Sequence, residues 1–192
     1  LSLFTNETLR GGLVLFTGQE AMTERDRERA AELERTLALS VHPEGGSFHE
    51  HHREPRDAST AIYFLLRGSE VAAWHRLSKD ELWHHYEGDP VELHLIHLEH
   101  GLEHGPTRYE RVILGPTAAD VRPCRVVASG VWQAARLVPG GRGYALVGNT
   151  VAPGFSFDDW TLADRELLER FAATLDATLP EARELLFALS RP

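Results

Sequence analysis

Residues 74–88 read WHRLSKDELWHHYEG, and within them His75 and Glu81 have the types and spacing that can move a proton. An imidazole titrates near ~6.5 in water, and a neighbouring carboxylate holds its tautomer and raises its basicity. Side chains of an extended segment alternate faces, so Val71, Ala73, His75 and Leu77 share one side while Ala72, Trp74 and Arg76 share the other. Glu81, Trp83 and His85 form the matching set on the next segment. Folded about the link Ser78–Asp80, the two segments set imidazole against carboxylate, and the small apolar neighbours of His75 turn that face inward. The same groups are ordinary ligands for Fe, Mn, Ni or Zn, so a divalent transition metal is the alternative to an acid/base couple. The plain alternative to both is a hydrogen-bonded core histidine.

The elements that position this pair follow from hydrophobic period and turn residues. Thr23, with Asp26 three positions on and Ala30, Leu33 and Leu37 at helical spacing, predicts an amphipathic helix over 24–37, ended by His42-Pro43. From 59 to 151 the chain breaks into segments rich in Val, Ile, Tyr, Phe and Trp, at 59–66, 71–77, 81–87, 91–99, 124–129, 131–138 and 144–151. Gly88-Asp89-Pro90, Gly115-Pro116, Gly130 and Gly140-Gly141 punctuate them. Seven or more strands without intervening helices imply a mainly β protein, a sandwich or closed barrel. Beyond 160 the leucines return to helical spacing and predict two C-terminal helices, split at Pro180 and packed outside the β core. Segment 152–160 is expected to join the β core to those helices. One domain spans 1–192, with residues 1–21 as an extension of undefined role.

A net charge of −9 over 192 residues provides no basic field for a phosphate backbone, so the expected partner is a small molecule rather than nucleic acid. The single cysteine, Cys124, forms no intrachain disulfide, and the short apolar run Leu13–Phe16 falls far below the roughly 18 residues of a membrane span. No membrane association and a cytoplasmic location are the expectation.

The region also resembles the cupins, small jelly-roll barrels. Their first motif, Gly-x5-His-x-His-x(3,4)-Glu-x6-Gly, aligns without a gap on His75, Glu81 and Gly88, with Leu77 at the second His. Their second motif survives in outline, with Ala128 at its Pro, Gly130 at its Gly and Gln133 at its His. The blocks HPEGGSFHEHHRE, TAIYFLL, WHRLSKDELWHHYEGDP, GVWQAA and NTVAPGFSFDDW, over about 40–165, are similar to one small, largely uncharacterised bacterial and fungal cupin family, distantly related to deoxysugar epimerases. The resemblance implies a cupin-type antiparallel jelly-roll barrel with one N-terminal and two C-terminal helices, paired as a homodimer.

It also implies roles. An epimerase-like cupin would use His75 as base, Glu81 to orient it and Tyr63 as acid, with Arg53 or Arg76 holding an anion, although Arg76 falls on the face opposite His75. The binding candidates are Glu50, His51, Trp83, His85, Trp132 and Gln133. A metal-dependent oxygenase or lyase would use His75, Glu81 and Gln133, but Leu77 cannot ligate and the Gln133 amide is a weak ligand, so His85, His49 or His51 would have to assist. The third class is a barrel that binds a metabolite without catalysis. His49 and His51 alternate with Glu50 and His52, so both sets reach one pocket only across a bulge. Glu44-Gly45-Gly46 reads as a turn; the pairs His94, His97 and His100, His104 suggest a second metal cluster by count, but LEHGLEHGPTRYE (98–110) reads as an exposed, non-functional loop.

Overall fold

The structure, a computed structural model, describes residues 22–98, 108–174 and 180–190. Helix α1 (Glu24–Thr36) is followed by β1 (Ser40–Val41), β2 (Ser47–Arg53), β3 (Thr60–Arg67), β4 (Val71–Leu77), β5 (Glu81–Gly88) and β6 (Val91–His97). Then come β7 (Arg108–Leu114), β8 (Val121–Arg122), β9 (Cys124–Val127), β10 (Trp132–Leu137), β11 (Tyr144–Val151), a single 3-10 turn, β12 (Trp160–Leu162), α2 (Arg165–Thr174) and α3 (Pro180–Ala188).

The twelve strands of the described residues form two six-stranded sheets, ordered β1-β2-β3-β11-β5-β9 and β12-β4-β10-β6-β7-β8. All neighbours are antiparallel except the short β7–β8 pair. The ladders of the two sheets remain separate, so the jelly roll is a sandwich rather than a closed barrel. Between them lies a core that includes Phe64, Leu66, Trp83, Leu93, Leu95 and Val147. The first sheet's outer face carries α1 through Ala30 and Leu33 against Leu65, Tyr144 and Leu146. The second carries α2 and α3 through Leu168, Phe171, Leu186 and Leu189 against Trp74, Ile96 and Trp132.

The helix signals act as read: the Thr23 side chain accepts the Asp26 N–H to cap α1, and Pro180 opens α3, where a missing N–H costs nothing. The helix ends where the 24–37 spacing places it, at the C-cap Leu37, and Ala38 with φ 52° turns the chain away directly after it. The seven predicted strands all form. Strand β7 takes up Arg108, Tyr109 and Glu110, which the sequence assigns to an exposed loop; their charges mask the strand pattern, yet they pair laterally, Arg125 bonding Glu110 at 2.5 Å and Arg111 meeting Glu92 at 3.3 Å. His94 is buried on β6, within the segment read as a strand, and is bonded to the Tyr109 hydroxyl at 2.7 Å, while His100 and His104 lie outside the described residues, as do residues 1–21. Among the described residues no helix is long and apolar enough to cross a membrane.

Candidate functional site

The site is built from an irregularity in β4. Gln133 of β10 faces His75 and Ala135 faces Ala72, so two steps on β10 oppose three on β4. This bulge breaks the simple alternation: Ala72 joins the core between the sheets and Val71 packs outside, yet His75 and Leu77 still face inward. It also diverts the backbone of Ala73 to the site. The Ala73 N–H donates to the Glu44 carbonyl at 2.9 Å, and the Ala73 carbonyl accepts from His75 Nδ1 at 2.7 Å. A carbonyl can only accept, so Nδ1 carries the ring proton and Nε2 keeps its lone pair.

Glu44 reaches His75 from the turn between β1 and β2. Gly45 holds φ 109° there, and a side chain on it would run into the Val71 carbonyl, so the turn can pack against β4 only with glycine at that position. The Glu44 carboxylate lies 3.3 Å from His75 Nδ1 and 3.6 Å from His42 Nδ1, and it accepts the Trp160 indole N–H at 3.3 Å. Glu81 approaches from β5, where Gln133 Nε2 donates to it at 2.5 Å while Gln133 Oε1 accepts the Trp83 indole N–H at 2.9 Å. Because an indole N–H only donates, this chain of bonds fixes which way the Gln133 amide faces.

Burial governs the ionisation of all three groups. It pushes the Glu44 carboxyl up to about 8, against the indole bond from Trp160. It pushes Glu81 up to about 7; the charge of His75 opposes this and that of Glu44 adds to it. It holds His75 below its ordinary value, although Glu81 pulls the other way. At neutral pH the imidazole is therefore neutral, Glu44 keeps its proton, and Glu81 is divided between its protonated and ionised forms. These residues form the floor of a cavity of about 540 Å³. Glu50, Arg53, Asp57, Asn149 and the segment 153–157 complete its walls.

The structure brings His75, Glu81 and Glu50 to the cavity wall, with Gln133 directly behind Glu81. It does not bring Tyr63. Thr60 and Ile62 of β3 face the cavity, so alternation turns Tyr63 to the outer face, where it stacks on His51 at 4.1 Å. His51 is therefore outside as well, although a bulge between Glu50 and His52 does interrupt β2. Trp132 faces the C-terminal helices, its ring 5.7 Å from that of Phe171, and Arg76 lies over its other side. Trp83 is a core aromatic against Phe64, and His85 is turned to the Asp89 carbonyl at 3.0 Å. Arg53 lines the cavity but is held by Glu50 and Asp57.

Sequence reasoning missed His42, Glu44, Asn149 and segment 152–160. Lys79 holds that segment across the cavity mouth, bonding the Gly154 carbonyl at 2.6 Å and Asp159 at 2.7 Å, so it lines the pocket rather than merely joining core to helix. The only signal for Glu44 was its place before two glycines, which announces a close backbone approach without naming the strand approached.

The donor set fits a metal poorly. Gln133 presents its N–H group to Glu81 and commits its oxygen to Trp83, Leu77 has no donor atom, and His49 and His51 do not line the cavity. Among the described residues no three His, Cys, Asp or Glu side chains converge to hold an ion.

No curated protein matches the chain. Among solved structures it is similar to a protein of Shewanella oneidensis, with 30% identity and a TM-score of 0.70 over 85% of this chain and 98% of that one. A hypothetical protein from Leishmania major gives 26% identity and a TM-score of 0.68 over 85% and 99% of the two chains. An oxalate decarboxylase of Bacillus subtilis shares the fold at 12% identity and a TM-score of 0.50, over 78% of this chain and 36% of its own. The model of the Cupin superfamily (DUF985) matches residues 31–163, and the chain belongs to that family.

Proposed function

We propose that this cupin is a proton-transfer enzyme of the isomerase or epimerase type, acting on a small oxygen-rich metabolite. The observation that carries it is the position of His75, whose protonated Nδ1 is bonded to Ala73 and faces Glu44, with Glu81 close by, at the floor of a cavity. In this reading His75 Nε2 removes a proton from a carbon next to a carbonyl, and the protonated Glu44 carboxyl donates to the carbonyl oxygen, giving an enol. Reversal with delivery of that proton to the other carbon, or to the opposite face after the enol turns over in the cavity, gives the isomer, and every proton is returned. Glu81 stabilises the transient imidazolium. Glu44 thereby takes the acid role that the distant resemblance to deoxysugar epimerases assigned to Tyr63.

The test is incorporation of solvent deuterium. Ligands that raise the melting temperature are incubated with the protein in D2O and followed by proton NMR. Loss of one carbon-bound proton signal is expected for at least one of them. Tight ligands that never exchange would make the protein a binding module.

Association as a homodimer belongs to the same proposal, since Tyr86 of β5 and Val126 of β9 expose apolar surface on one sheet face. Light scattering is expected to give twice the chain mass at micromolar concentration; the mass of one chain would end it. The lone Cys124, exposed and unpaired with any other cysteine, suits a reducing cytoplasm.

A further inference from the structure

Two cations line the cavity, and both are already neutralised. Arg53 makes two bonds to Glu50, at 2.8 and 2.7 Å, and a third to Asp57 at 2.8 Å, so one guanidinium faces two carboxylates. Lys79 is held by Asp159 and the Gly154 carbonyl. An arriving phosphate or carboxylate would meet three carboxylates, Glu50, Asp57 and Asp159, beside these two cations, and would have to compete with Glu50 and Asp57 for Arg53.

A second observation shows what the cavity offers instead. Asn149 is 4% exposed and lines the cavity, and its Oδ1 is buried with no hydrogen-bond partner. A buried acceptor left unpaired costs free energy that a ligand donor recovers. The same cavity is lined by aromatic rings of segment 152–160, of which Phe157 is 55% exposed and packs edge-on to Trp160 at 5.9 Å. Aromatic faces accept the apolar C–H face of a ring, while protonated carboxyls and a carboxamide both suit hydroxyl groups, which donate and accept.

We propose that the substrate is an uncharged polyhydroxylated molecule of sugar size, not a sugar phosphate, sugar acid or nucleotide-linked sugar, and that Asn149 Oδ1 receives one of its hydroxyls. This rests on the reading of the cavity as an active site and names its substrate class.

The experiment is a saturation-transfer NMR screen of common pentoses, hexoses and their polyols, each beside its phosphate, uronate and nucleotide-diphosphate form. A neutral member is expected to bind, with its anionic counterparts at least tenfold weaker. The double variant Glu50→Gln/Asp57→Asn frees Arg53 and should improve binding of the phosphate form about tenfold. Asn149→Val should weaken the neutral ligand about tenfold while leaving the melting temperature unchanged or higher, because it deletes an unsatisfied acceptor. Anionic forms that bind the unaltered protein as well as neutral ones, or a screen in which no neutral member binds, would overturn the proposal. Neutral binding without deuterium exchange would overturn the proton-transfer reading alone, and exchange on an anionic ligand would overturn this inference alone.

Discussion

Replacing His75 by Gln should slow solvent-deuterium incorporation by about 10²- to 10⁴-fold, the range that a positioned general base contributes. The ring is neutral and buried, held by its bond to the Ala73 carbonyl, and a glutamine side-chain N–H can replace that donor. The fold should therefore survive, with unchanged far- and near-ultraviolet circular dichroism. A purely structural histidine predicts the reverse pattern, in which the melting temperature falls and any exchange persists within a few-fold. The pH profile of the unaltered protein adds an independent check. Exchange requires neutral His75, so its acid limb should lie below ~6.5, the unperturbed imidazole value, because burial lowers this group. It also requires protonated Glu44, so an alkaline limb should appear at about 8. A single titration with no alkaline fall would remove Glu44 from the acid role.

Glu44→Gln should make the protein more stable at pH 8 while destroying its activity. The Glu44 carboxyl is raised from 4.5 to about 8 by burial, so between those values the folded chain binds more protons than the unfolded one. Stability contributed by such a group is present below the unfolded value and is lost as pH rises through the folded one. Glu81, raised to about 7, acts in the same direction. His75 and His94 are lowered, so they destabilise only as pH falls below ~6.5. Glu87 and Glu92, lowered to about 2, act only in acid. The interval from 6.5 to 8 thus isolates the two buried carboxyls. Urea midpoints of the unaltered protein should fall across it, and those of Glu44→Gln should fall less and lie higher at pH 8; a rise from 4.5 to about 8 corresponds to on the order of 5 kcal/mol at about 1.4 kcal/mol per pKa unit. The amide oxygen can take the place of the one carboxyl oxygen that meets Trp160, His75 and His42, so those side chains keep their acceptor. A midpoint independent of pH between 6.5 and 8 would show that Glu44 is ionised in the folded protein. Stability gained where activity is lost is the pattern of a group buried for chemistry rather than for folding.

What could be read from residues alone was whatever depends on neighbours along the chain. Thr23 and Pro180 mark helix starts through backbone groups within one turn, and the seven β segments follow from alternation and glycine punctuation. His75 and Glu81 both face the interior because alternation turns each to the core side of its strand, although β4 and β5 belong to opposite sheets and the three linking residues cross between the sheets rather than close a hairpin, and Gln133 follows from the motif register. The same alternation already places Tyr63 opposite Ile62, a consequence of strand geometry that resemblance to the epimerases overrode. The rest depends on residues far apart in the chain. Glu44 becomes part of the site only because the β4 bulge turns the Ala73 backbone toward it, and a bulge is a property of two strands in register, not of either one. Segment 152–160 closes the cavity because Lys79, some 75 residues earlier, holds it there. The raised carboxyls and the neutralised Arg53 are consequences of burial and of pairing, and neither exists until the two sheets have packed.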